Sequence, residues 1–171
     1  MKNVLIIVVS VVVAIVAFNL MRYARAPRIA PQPNPAPHSV NLRDVQSSAQ
    51  YAKGQQLFLG VCTLCHMEQG EGQPGMVPTL HGAPIATGDV GAFARILLHG
   101  MEGPVVVKGV TYNGIMPPAT FDSDEDLAAV MTFVRNSWGN AAGPVTPEQV
   151  TKVKQDTAGR KKPWTAAELR P

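Results

Sequence analysis

Five consecutive residues, Cys62-Thr63-Leu64-Cys65-His66, contain both cysteines of the chain, and they restrict its fold more than any other stretch. Two thiols three positions apart reach the two vinyl groups on one edge of a porphyrin, and the adjacent imidazole then lies under the ring, where it can ligate iron. The pattern therefore predicts one covalently attached c-type haem. Two other uses of a Cys-x-x-Cys pair fit less well. A zinc site needs further Cys or His ligands at comparable spacing, whereas His38, His81 and His99 are scattered singly. A thioredoxin-like redox pair belongs in a βαβ unit, and the flanking sequence has almost no strand periodicity.

A length of 171 residues leaves room for one domain with appendages. Much of the 46% hydrophobic content lies in Val4 to Met21, an apolar run broken only by Ser10 and Asn19. As a helix it would rise about 27 Å, close to the roughly 30 Å hydrocarbon core of a bilayer. Residues 1–26 are therefore expected to be a transmembrane anchor. The competing reading is a cleaved signal peptide, for which Ala24-Arg25-Ala26 supplies small residues at the right spacing. Pro27 immediately after it and the arginine-rich approach favour retention. Charge does not orient the segment, because Lys2 on one side faces Arg22, Arg25 and Arg28 on the other. Residues 27–44 follow as a linker, with five prolines between Pro27 and Pro37 that preclude regular ladders.

Residues 45–140 carry helical signals. Ser47 or Ser48 can cap a helix through Ala49 to Phe58, with Tyr51, Gly54, Leu57 and Phe58 on one face. Gly54 inside it suggests a close helix contact. A second helix is predicted from Asp89 to His99 with Gly100 as its stop, and a third after Ser123, with Leu127, Val130, Phe133 and Val134 as its apolar stripe, ending at Trp138 and Gly139. Between them, residues 70–88 and 100–120 are rich in Gly and Pro and too long for mere connections; a large apolar cofactor would give their side chains a surface to pack on. Val105-Val106-Val107 is the one candidate for a short strand or turn arm.

Gly54 and Phe58, Cys62 to His66, Pro78-Thr79-Leu80, Tyr112-Asn113-Gly114-Ile115-Met116-Pro117-Pro118 and an aromatic closing helix together resemble a class I monohaem cytochrome c. Leu98-His99-Gly100, Gly103-Pro104 and Val134-Arg135-Asn136-Ser137-Trp138-Gly139 are similar to bacterial cytochrome c modules that accompany membrane-bound quinoprotein dehydrogenases and respiratory complexes. The resemblance implies an all-α cytochrome c fold around a single haem c. It also implies a chain that moves single electrons and transforms no small-molecule substrate of its own.

Cys62, Cys65 and His66 would attach the haem, with His66 as one axial ligand. Met116 is the expected second: of the seven methionines it alone precedes Pro117-Pro118, which would stiffen a loop presenting sulfur, and the family pattern agrees. Pro78 is the resemblance's candidate for the carbonyl that accepts a hydrogen bond from His66. Leu80, Phe93, Ile96 and Leu97 are expected on haem edges and faces, and Tyr112 and Arg95 at the propionates.

Charge divides unevenly. Residues 45–140 hold four Lys and Arg against eight Asp and Glu, and residues 141–171 hold six against three. That C-terminal extension is expected to be helical, with capping signals at Thr146 to Gln149 and Thr165 to Glu168, and either embraces a partner or lies on its own domain. No nucleic-acid footprint, phosphate loop or hydrolytic triad is present. The expectation is thus a membrane-anchored carrier between redox partners on the outer, periplasmic side of a bacterial inner membrane. The alternative is a haem c subunit of a catalytic complex such as a quinoprotein dehydrogenase, terminal oxidase or nitric oxide reductase.

Overall fold

The computed structural model describes residues 41–169. The anchor at 1–26 and nearly all of the linker at 27–44 lie outside the described residues, among which no helix is long and apolar enough to cross a membrane. Helical backbone begins inside the span read as linker: α1 (Leu42–Gln46) is capped by the Asn41 side chain, and Gln46 Nε2 donates to the Asn136 carbonyl at 2.7 Å.

Two long helices frame the domain. Ser48 caps α2 (Ala49–Val61) by accepting from the Tyr51 amide, and Ser123 caps α6 (Asp124–Arg135) by accepting from Asp126. They cross at Gly54, where any Cβ would collide with the Ala129 carbonyl, so only glycine permits this approach. Around the crossing, Phe58 and Phe133 stand with ring centroids 5.3 Å apart and Phe58 and Trp138 5.1 Å apart. Offset aromatic packing of this kind adds about 0.5–1.5 kcal/mol per pair beyond area burial. α6 stops at Arg135, earlier than Trp138, because the Asn136 side chain donates to the carbonyls of Thr132 and Gly143 and turns the chain.

Between the two helices lie α3 (Thr63–His66), α4 (Pro84–Thr87) and α5 (Val90–His99), the last capped by Asp89, whose Oδ1 accepts from the Ala92 amide at 2.7 Å. The expectation of an all-α domain needs correction here. β1 (Met101–Val107) and β2 (Val110–Met116) form a two-stranded antiparallel hairpin with Met101 opposite Met116. Its two-residue turn is Lys108-Gly109, both at positive φ (49° and 79°), as a type I′ turn requires. The Val105–Val107 arm was only the end of a strand that begins beside Gly100.

The extension packs on its own domain. Thr146 and Gln149 form a reciprocal capping box on α7 (Pro147–Asp156), and Val145 and Val150 are fully buried in the main core. Asp124 at the start of α6 accepts from Thr151 at 2.6 Å and pairs with Lys154 at 2.9 Å. The second capping signal starts only a turn: Glu168 accepts from the Thr165 amide, but also binds Arg160 through both carboxylate oxygens.

Candidate functional site

α2 delivers the chain to Cys62, whose carbonyl accepts from Cys65 (3.2 Å) and His66 (2.8 Å), so the single turn of α3 brings the two thiols and the imidazole to one end of the helix. Cys65 is exposed and Cys62 half-buried; burial and the neighbouring Cys65 push the Cys62 thiol up to about 11. His66 is buried, and burial lowers its pKa while a hydrogen bond to the Pro78 carbonyl partly opposes that shift.

A glycine places that carbonyl. Gly72 sits at φ 70°, its amide donates to the His66 carbonyl at 3.0 Å, and a Cβ there would strike the carbonyls of Val77 and Pro78. The loop thus folds back flat against itself, and His66 Nδ1 donates to Pro78 O at 3.2 Å. With Nδ1 carrying the proton, Nε2 retains a free lone pair suited to a metal.

Two hollows share His66 and Met116 in their walls. The larger, about 580 Å³ with its open mouth, is also bounded by Cys65, Pro78, Met101 and Tyr112. The smaller, about 290 Å³ by the same measure, reaches the core at Phe58, Leu80, Phe93 and Leu97 and includes Cys62. Almost all of this lining is apolar. A neutral imidazole, a thioether, two thiols and otherwise greasy walls are a donor set for a planar, hydrophobic, iron-bearing ring, and the site fits a haem.

Most of the residues picked out by sequence converge here: Cys62, Cys65, His66, Pro78, Leu80, Tyr112 and Met116 all line one hollow or both. Arg95 does not. Its guanidinium, expected at the propionates, extends instead toward Trp164, 5.4 Å from the ring centroid. The reason is helical phase. Phe93 and Leu97 face the smaller hollow, and Arg95, two residues from each, lies roughly 200° around α5. Ile96 likewise packs in a separate cluster with Ala92, Met101 and Leu169. Met101, which sequence reasoning ranked behind Met116, and Val105, read there only as part of a strand or turn arm, enter the larger hollow because β1 pairs with β2; the Lys-Gly turn was the available signal.

Residues 51–138, which contain both hollows' principal donors, match the cytochrome c family. The chain belongs to that family. Haem c is accordingly its covalently bound cofactor, and Cys62 and Cys65 fit the attachment site. This cytochrome c is 36% identical over 102 residues to cytochrome c-552 of Thermus thermophilus, an alignment spanning 54% of this chain and 78% of the relative. It is 29% identical over 116 residues to the cytochrome c subunit of a quinone alcohol dehydrogenase from Gluconobacter oxydans, and 28% identical over 120 residues to the corresponding subunit from Gluconacetobacter polyoxogenes. Those alignments span 59% and 61% of this chain but only 22% and 23% of the subunits. The described domain is therefore helical with a small sheet, and an electron carrier by family.

Proposed function

We propose that this cytochrome is a membrane-anchored carrier that accepts and donates single electrons between redox proteins at the outer face of a bacterial cytoplasmic membrane. The observation that carries the reading is the sharing of His66 and Met116 between the two hollows, so that both would be available to hold one haem iron there. When bound, the haem supplies a one-electron ferric/ferrous couple. The Pro78 carbonyl orients His66 by accepting a hydrogen bond from its Nδ1–H, and Pro117-Pro118 stiffen the strand end that presents the Met116 sulfur. Phe58, Leu80, Phe93 and Leu97 exclude water from the inner face, which limits solvent reorganisation when charge changes. Cys65, exposed beside the mouth, marks the edge by which electrons enter and leave. Were His66 and Met116 both to hold the haem iron, no coordination position would be left for a substrate.

The Val4–Met21 segment supports anchoring, and c-type attachment in this family takes place outside the cytoplasm, which supports the orientation. The test is fractionation. Haem-stained protein should sediment with membranes, resist carbonate extraction, and be digested by protease added from the periplasmic side. Release into the soluble fraction, or protection in spheroplasts, would refute anchor or orientation respectively.

A second reading makes the same domain the haem subunit of a catalytic assembly. The likeness to cytochrome subunits of quinone alcohol dehydrogenases favours it. Gentle detergent purification separates the two: a stoichiometric dehydrogenase or oxidase subunit travelling with the haem supports the second, and a free haem protein supports the first.

A further inference from the structure

The last stretch of the extension reaches the strand next to Met116. Trp164 forms an isolated parallel bridge with Met101: its amide donates to the Gly100 carbonyl at 3.0 Å, and the Glu102 amide donates to the Trp164 carbonyl at 2.9 Å. Met101 is in turn paired across the hairpin with Met116. One strand, β1, therefore lies between Trp164 and Met116. Trp164 and Met116 also pack on the same cluster, Ala92, Ile96, Met101 and Leu169. At Gly100, φ 78°, a Cβ would stand 2.6 Å from the Met116 carbonyl, so the two strand ends meet there backbone to backbone.

Trp164 is itself held. The Arg160 guanidinium lies 3.5 Å from its ring centroid, and Arg160 also donates to the Pro163 carbonyl at 2.7 Å and to both carboxylate oxygens of Glu168. Among the described residues the hairpin has no other strand beside it. A two-stranded hairpin alone is marginal in water, yet one end of this one must hold a weak thioether ligand in place.

We propose that residues 160–168 form a latch that keeps Met116 on the iron, with Trp164 as a positioning residue acting through Met101. The proposal rests on Met116 being the sixth ligand. Its cost falls on ligand exchange: an external ligand can reach ferric iron only when the Met116 end of the hairpin swings away, and the latch opposes that swing.

The experiment uses the full-length ferric holoprotein as wild type, Trp164→Ala, Trp164→Phe, Glu168→Gln and Met116→Ala. Each is titrated with imidazole while the weak red-end absorption band of methionine-bound ferric haem is followed, and each is unfolded in denaturant by far-ultraviolet circular dichroism. Trp164→Ala should bind imidazole about tenfold more tightly, equivalent to about 1.4 kcal/mol, with Trp164→Phe close to wild type. Glu168→Gln, which lines neither hollow and loosens the ties to Arg160 and Thr165 that hold the Trp164 segment, should shift the affinity in the same direction by about threefold, so the proposal stays testable if Trp164→Ala fails to fold. Wild-type imidazole affinity in Trp164→Ala or, should that variant not fold, in Glu168→Gln overturns the latch, even with a lowered denaturation midpoint; the extension would then be a stabiliser alone. Met116→Ala should lack the band before any imidazole is added. If it keeps the band, the ligand assignment fails, whatever the other variants do.

Discussion

His66 Nδ1 donates to the Pro78 carbonyl oxygen at 3.2 Å, across a loop that only a glycine at position 72 can close. That one bond selects the tautomer whose Nε2 is free for iron, and a shared proton makes the imidazole a stronger electron donor. Gly72→Ala should therefore raise the reduction potential as the bond lengthens. It should also cost about 1–3 kcal/mol for the positive φ alone. Redox titration and chemical denaturation measure the two effects; an unchanged potential would show that the Pro78 carbonyl has no influence on the iron.

Attachment can be tested thiol by thiol. Cys62→Ala or Cys65→Ala should leave haem held by one thioether and still visible after denaturing electrophoresis. The double variant should release all haem into acid-acetone. Retention in the double variant would mean that attachment runs through another residue.

Met116→Ala should keep haem covalently bound, since Cys62, Cys65 and His66 remain. The iron should gain an exchangeable position that takes up carbon monoxide when ferrous, and its potential should fall by on the order of 100 mV, in line with the range that axial ligation spans. Spectroelectrochemistry with and without carbon monoxide measures both.

Arg135 is a buried tie between elements distant in sequence. Its guanidinium donates to the carbonyls of Ala86 (3.1 Å), Gly88 (2.9 Å), Ala142 (2.7 Å) and Gly143 (3.3 Å). Arg135→Met would keep the volume and remove the donor to Ala86, Gly88 and Ala142, Gly143 keeping its bond from Asn136, at a cost of about 3 kcal/mol or more. Arg135→Lys, which cannot span four acceptors, should lose nearly as much. Urea denaturation of the holoproteins is the check.

His99 gives the extension a pH dependence. Its Nε2 bonds with Thr157 Oγ1 at 2.7 Å, and burial together with the Arg160 charge lowers its pKa below the ordinary 6.5. A base whose folded-state pKa is depressed binds its proton more readily when unfolded, so its contribution is complete above about 6.5 and is lost as pH falls toward and through the depressed value. The thermal midpoint should drop between pH 7 and pH 5, and less so in His99→Gln. The carboxylates with lowered pKa values, Asp124, Glu148 and Glu168, add their losses only at more acid pH. Equal slopes in wild type and His99→Gln over that interval would rule His99 out.

What the sequence determined by itself was local in its physics. Cys62 to His66 act within one helical turn, Ser48, Ser123 and Thr146 cap helices through atoms three residues away, and Gly54 could be read as a contact because a glycine inside a helix, away from both ends, has no other evident use. Met116 was singled out through the two prolines that follow it together with the family pattern, and the structure places it in the wall of both hollows. What only the tertiary structure decided were relations between distant segments. Strand pairing put Met101 opposite Met116, although neither strand alternates cleanly enough to declare itself. The phase of α5 turned Arg95 away from the hollows toward Trp164, a partner 69 residues later whose position depends on where α7 ends. And whether the basic extension would meet another protein or its own domain rested on Val145 and Val150 finding the core, since burial is a property of the assembled surface and no neighbour in sequence carries it.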